Sequence, residues 1–134
     1  MGIVTLFLDT NLLIDLVTAG SPHIAVVRRW LREGEKLATC AIAWSEFCNG
    51  PHSKEQKDSV FHVLEGRVTD FTVKEAENAS RLFHRTGRKR GSNAHCMIAA
   101  AAITAGIPVA TRNTKDFEQF IPLGLKLRAV PTVV

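Results

Sequence analysis

Cysteine is scarce in this 134-residue chain: Cys40, Cys48 and Cys96 are the only three, and no two are spaced as a zinc or redox pair. Each lies in an apolar stretch, so all three are expected to be reduced core thiols of a cytoplasmic protein. Long apolar runs are missing too. The Ala-rich stretch at 96–103 falls far short of the ~20 residues that a membrane-spanning helix needs. Asp9 interrupts the early apolar run, so no secretory signal is expected. Leu6 stands where a myristoylation signal requires Ser or Thr. His23, His52, His62 and His84 form no ligand-spaced pair, and the chain has no internal repeat, linker or low-complexity tract. These absences leave one soluble domain spanning residues 1–134, 46% hydrophobic and 22% charged, long enough to bury a single core. A net charge of +4 favours a polyanionic partner without requiring one.

The pattern that is present alternates short apolar strands with helical segments. "IVTLFL" (3–8) reads as a buried strand, and "DTNLLIDLVT" as a helix opened by Asp9 or Thr10 and closed by Gly20. A helix from Ser21 to Glu33 follows, then the strand "KLATCA", the short helix "AWSEFCNG" and a helix over 53–65. "VTDF" is a brief strand and 73–86 a longer helix, after which comes the basic segment "RTGRKRGSN". An Ala-rich helix (94–105), the strand "IPVAT", a helical turn "KDFEQF" and the strand "LKLRAV" complete the chain. This alternation predicts an α/β domain with a central parallel sheet and helices on both faces.

Ligands of open parallel sheets bind beyond the carboxyl ends of the strands, and the polar residues that stand out fall there. Asp9 follows the first strand and Glu46 lies on the helix after the second. His95 opens the Ala-rich helix, and Thr111, Arg112, Asn113 and Asp116 follow the fourth strand. Converging carboxylates repel one another, and their natural partner is a hard divalent cation, Mg2+ or Mn2+. Such a cation acidifies water and offsets charge on a phosphodiester, which points to metal-assisted phosphodiester hydrolysis.

"LDTNLLIDL" (8–16), "AWSEFCNG" (43–50), "HCMIAAAAI" (95–103) and "VATRNTKDF" (109–117) resemble, in order, the four signatures of PIN domains, and among these the VapC-type toxins of toxin–antitoxin pairs. The resemblance implies Mg2+- or Mn2+-dependent RNA cleavage, a homodimer, and an antitoxin that blocks the site. Carried over by position, Asp9 and Glu46 match the first two acidic ligands, with Thr10 and Asn11 supporting them. Asn113 falls where the family has aspartate or asparagine, and Asp116 matches a downstream acid. His95 departs from the pattern, because the family places aspartate there. Imidazole can ligate manganese or zinc but suits magnesium poorly and brings no negative charge. The metal set implied is Asp9, Glu46, Asn113 and, as a weakened position, His95. The alternative is a PIN-fold module that binds RNA or antitoxin without cleaving.

Several of these residues also have ordinary structural uses. Asp9 can cap a helix, and Asp116 can cap "KDFEQF". Asp15 is expected on the solvated side of its helix and Asp70 in a turn. Arg85, Arg88, Lys89 and Arg90 suit a helix C-terminus and equally an RNA backbone, to which Arg112 would add a contact. A phosphoacceptor receiver domain would need clustered aspartates after the first strand and another after the third; only Asp9 and Asp70 approximate this.

Overall fold

The computed structural model describes residues 4–130. Its elements run β1 (Thr5–Leu8), α1 (Thr10–Asp15), α2 (Ile24–Arg32), β2 (Lys36–Cys40), α3 (Ala41–Cys48), α4 (Lys54–Val63), β3 (Val68–Thr69), α5 (Val73–Arg85), α6 (Asn93–Ala105), β4 (Val109–Thr111) and β5 (Leu127–Ala129). Two 3-10 segments, Thr114–Asp116 and Glu118–Leu123, join β4 to β5. The start of the first expected strand, Ile3, lies outside the described residues.

Among the described residues five strands pair in the order β3-β2-β1-β4-β5, and every pairing is parallel. Successive strand residues face opposite sides of a sheet, yet Leu6, Phe7 and Leu8 are all buried. Both faces are therefore covered, as a parallel sheet requires. Strand order reverses between β1 and β4, which makes the crevice beyond their carboxyl ends the place where such sheets take ligands. The register sets Phe7 beside Val109 and Leu8 beside Ala110. Asp9 donates its backbone N–H to the Ala110 carbonyl at 2.9 Å, so Asp9 leaves the sheet next to Thr111.

Local sequence explains most boundaries. Ser53 and Gln56 form a reciprocal capping box at the start of α4. Gly106, at φ 70°, ends α6 in the left-handed region. Ala99, Ala100, Ala101 and Ala102 are all buried; a helix apolar on every side must be packed on every side, and α6 packs against α5, α3 and β2.

One expected element differs, and another is as expected but of a tighter kind. The first helix stops at Asp15 instead of continuing to Gly20. Beyond it the chain tightens into turns, with Val17 N–H on the Ile14 carbonyl, and the Thr18 hydroxyl also donates to Ile14 O. "KDFEQF" forms 3-10 turns because Phe117 and Phe120, both fully buried, must share one face. A three-residue repeat provides that alignment. Among the described residues no helix is long and apolar enough to cross a membrane.

Candidate active site

Asp9 is the N-cap of α1, with an extended backbone and its Oδ1 accepting from Thr10 N–H at 2.8 Å. Its Oδ2 accepts from the Thr111 hydroxyl at 2.8 Å and from Asn11 Nδ2 at 3.2 Å. A carboxylate has about four lone-pair directions, so these three donors leave one on Oδ1. Capping and a site role are thus compatible in the same residue. Thr111 is itself held in place, because the Asn113 backbone N–H donates to its Oγ1 at 3.0 Å. This backbone N–H is what Asn113 gives the network; its side chain is exposed.

Glu46 comes to the same point from α3, which follows β2 directly. Thr10 bridges the two acids: its backbone N–H serves Asp9, and its hydroxyl donates to Glu46 Oε1 at 2.7 Å. Burial pushes the Asp9 carboxyl above the ordinary 3.8, and the negative charge of Glu46 adds to the rise. The Thr111 hydroxyl, the Thr10 amide and the nearby His95 oppose it. Two acids kept close at this electrostatic cost are characteristic of a site that receives a cation.

His95 lies one position further round the rim. Its Nε2 is 3.7 Å from Asp116 Oδ2, and its ring meets Phe117 edge-on at 5.2 Å between centroids. Among the described residues no three His, Cys, Asp or Glu side chains gather closely enough to hold one ion. The donor set nevertheless fits a hard divalent cation. Asp9 and Glu46 supply carboxylate oxygens, and Asn11 Oδ1 beside them is buried without a partner among the described residues. Magnesium commonly binds through one or two carboxylates and keeps its remaining water.

The structure corrects one expectation. Asp15 is buried rather than solvated, with its Oδ2 accepting from Arg112 Nε at 2.8 Å. Arg112 is thereby tied to α1 through its Nε, since desolvating Asp15 demands a cationic partner, while its side chain stays 34% exposed. Nothing in the local sequence pairs these two residues, and Asp15 is the contributor to the rim that sequence reasoning missed. Cys40 and Cys96 are buried and Cys48 half-buried, all with free thiols; burial pushes the first two thiols up. His52 stacks on Phe47, and Trp30 and Leu82 are core residues with Val26 and Phe83 packed against them.

No curated protein matches the chain in sequence. Among solved structures, FitAB bound to a DNA fragment is similar over 96% of this chain and 97% of that one, with a TM-score of 0.72 and 22% identity. DNA-bound VapBC from Salmonella typhimurium matches 97% of this chain and 100% of that one, with a TM-score of 0.66 and 25% identity. A toxin–antitoxin complex from Klebsiella pneumoniae matches 84% and 89%, with a TM-score of 0.64 and 27% identity. The family model described as PIN domain matches residues 6–120, a span that holds Asp9, Glu46, His95 and Asp116 together with β2, β3, β4 and all of β1 but its first residue, and the chain belongs to the PIN domain family.

Proposed function

We propose that this protein is a divalent-metal-dependent endoribonuclease, the toxin of a type II toxin–antitoxin pair. The observation that carries the reading is the buried Asp9 carboxylate, held by three donors and bridged through Thr10 to Glu46, at the strand-order reversal of a PIN fold. The likeness to toxin–antitoxin complexes at 25% and 27% identity supports the biological setting. Asp9 and Glu46 would hold Mg2+ or Mn2+, with Asn113 and His95 completing the set. When bound, the cation supplies Lewis acidity, acidifying water and offsetting charge that builds on a phosphodiester.

The chain's own residues set the stage for this. Thr10, Asn11 and Thr111 fix the direction of the Asp9 carboxylate before any ligand arrives. The basic segment with Arg85, Arg88, Lys89 and Arg90 faces solvent and attracts RNA through its phosphates, without sequence preference. The partners are an RNA substrate, an antitoxin that covers the rim, and a second copy of the chain, in the cytoplasm.

The test uses purified protein, one labelled single-stranded RNA, and titrations with Mg2+ and Mn2+. Asp9→Asn and Glu46→Gln should each weaken Mn2+ binding in calorimetry by tenfold or more, about 1.4 kcal/mol, and suppress cleavage. Unchanged Mn2+ binding in both variants would move the metal site elsewhere. His95 favours a second reading, because an imidazole facing Asp116 replaces an expected acid: the fold would then bind RNA or antitoxin without cleaving. Metal-dependent turnover of the labelled RNA separates the two.

A further inference from the structure

The fold divides the basic segment into parts with different surroundings. Arg85 shares a groove with Arg81, Asn78 and Ile103, between α5 and α6. Arg88 turns back, at φ 55°, and its Nε donates to His84 Nδ1 at 2.8 Å. Lys89 and Arg90 instead line a cleft of about 180 Å³ at the opening of α6, and Lys115 joins them from the 3-10 turn after β4. His95 and Asp116 line the same cleft, which therefore adjoins the Asp9–Glu46 site.

Three cationic side chains thus face one small space from two segments distant in sequence. Among the described residues none of the three has an acidic partner within ion-pair distance. The single acid in the lining, Asp116, lies against His95. The start of α6 adds to the positive field. Ser92, at its N-cap, is buried but donates its hydroxyl to the Lys89 carbonyl and makes no side-chain cap. The positive end of this 13-residue helix is left facing the cleft rather than a capping oxygen. Unpaired cations held close together are repulsive, and a multiply coordinated anion relieves them.

Resting on the nuclease reading above, we infer that this cleft seats a backbone phosphate of the RNA strand beside the reacting one, gripped by Lys89, Arg90 and Lys115. Lys115 is the new member, and Arg85 and Arg88 are left outside the grip. The cleft would fix the strand's position along the rim without reading its bases.

Binding is measured apart from cleavage, by fluorescence anisotropy of a labelled single-stranded RNA on the Asp9→Asn protein, with chelator present and KCl varied. Lys115→Ser and Arg81→Ser each remove one positive charge from an exposed side chain, and circular dichroism checks that both fold. Lys115→Ser should weaken binding severalfold and flatten the salt slope by part of the about 0.7 that one single-strand phosphate contact contributes. Lys89→Ser with Arg90→Ser should act likewise, while Arg81→Ser should leave the slope unchanged. Equal effects of Lys115→Ser and Arg81→Ser would overturn the inference, because the cleft would then contribute only diffuse charge. A flattened slope alongside an unmutated protein that never cleaves RNA would keep the cleft and overturn the nuclease reading instead.

Discussion

Asp9 exchanges hydration for three hydrogen-bond donors, and burial still leaves its carboxyl above the ordinary aspartate value. The native state therefore holds that proton more tightly than the unfolded chain does. By linkage the contribution to stability is fully present below the unfolded value and is lost as pH rises through the folded one. Asp9→Asn removes this loss. The Thr111 hydroxyl can rotate to accept from the new amide, and the Asn11 amide can turn toward it the Oδ1 that now lacks a partner. Without metal, Asp9→Asn is expected to melt at a higher temperature than the parent at neutral pH. The gain should shrink to nothing as pH falls below about 4, where an unfolded aspartate is also protonated. Thermal melts across pH in chelator check this. A variant less stable at neutral pH would mean that the lost charge-assisted hydrogen bonds outweigh desolvation.

Among the elements, α1 and the segment after β4 are tied by a pair that neither local sequence announces. Asp15 ends a six-residue helix, and Arg112 follows a three-residue strand. Their bond, from Arg112 Nε to Asp15 Oδ2, holds Thr111 and Asn113 near Asp9. Arg112→Ala leaves a nearly buried carboxylate unpartnered, a cost of about 1–3 kcal/mol, toward the low end because the arginine side chain is 34% exposed. Asp15→Ala, Arg112→Ala and the double variant, unfolded in urea, should show a coupling of about 1 kcal/mol, with the double variant less destabilised than the sum. Additive losses would make the contact incidental. The pair also explains what the sequence could and could not reveal. Asp9 and Thr111 were legible because each sits where an apolar strand gives way to polar residues, a local signal, and Glu46 because it is the one acid on the short helix that follows β2. Asp15 was misread because its partner lies 97 positions away, and charge alone suggested solvent. The short 3-10 turns were obscured for a similar reason: the burial of Phe117 and Phe120 sets their period, and tertiary packing decides that burial.

Across the whole molecule, the parallel order β3-β2-β1-β4-β5 gathers the ends of β1, β2 and β4 and the opening of α6 on one rim. Acids at the centre of that rim and cations beside it suit a cation and a polyanion together, on a chain of net charge +4. His95 is the member whose chemistry disagrees with this division. A carboxylate at that position would add negative charge near Asp9, and the start of a helix tolerates aspartate well. It would also stand close to Asp116, which now faces the imidazole at 3.7 Å, and a bound cation would offset that repulsion. His95→Asp is therefore expected to tighten Mg2+ binding and raise Mg2+-dependent RNA cleavage by tenfold or more, since about 1.4 kcal/mol of added transition-state stabilisation suffices. The unmutated protein should cleave faster with Mn2+ than with Mg2+, because imidazole nitrogen suits the softer ion. Both proteins are to be assayed on one labelled RNA with each metal over a range of pH. Equal Mg2+-dependent rates would remove position 95 from the metal's surroundings and leave His95 as a partner of Asp116 in the neighbouring cleft.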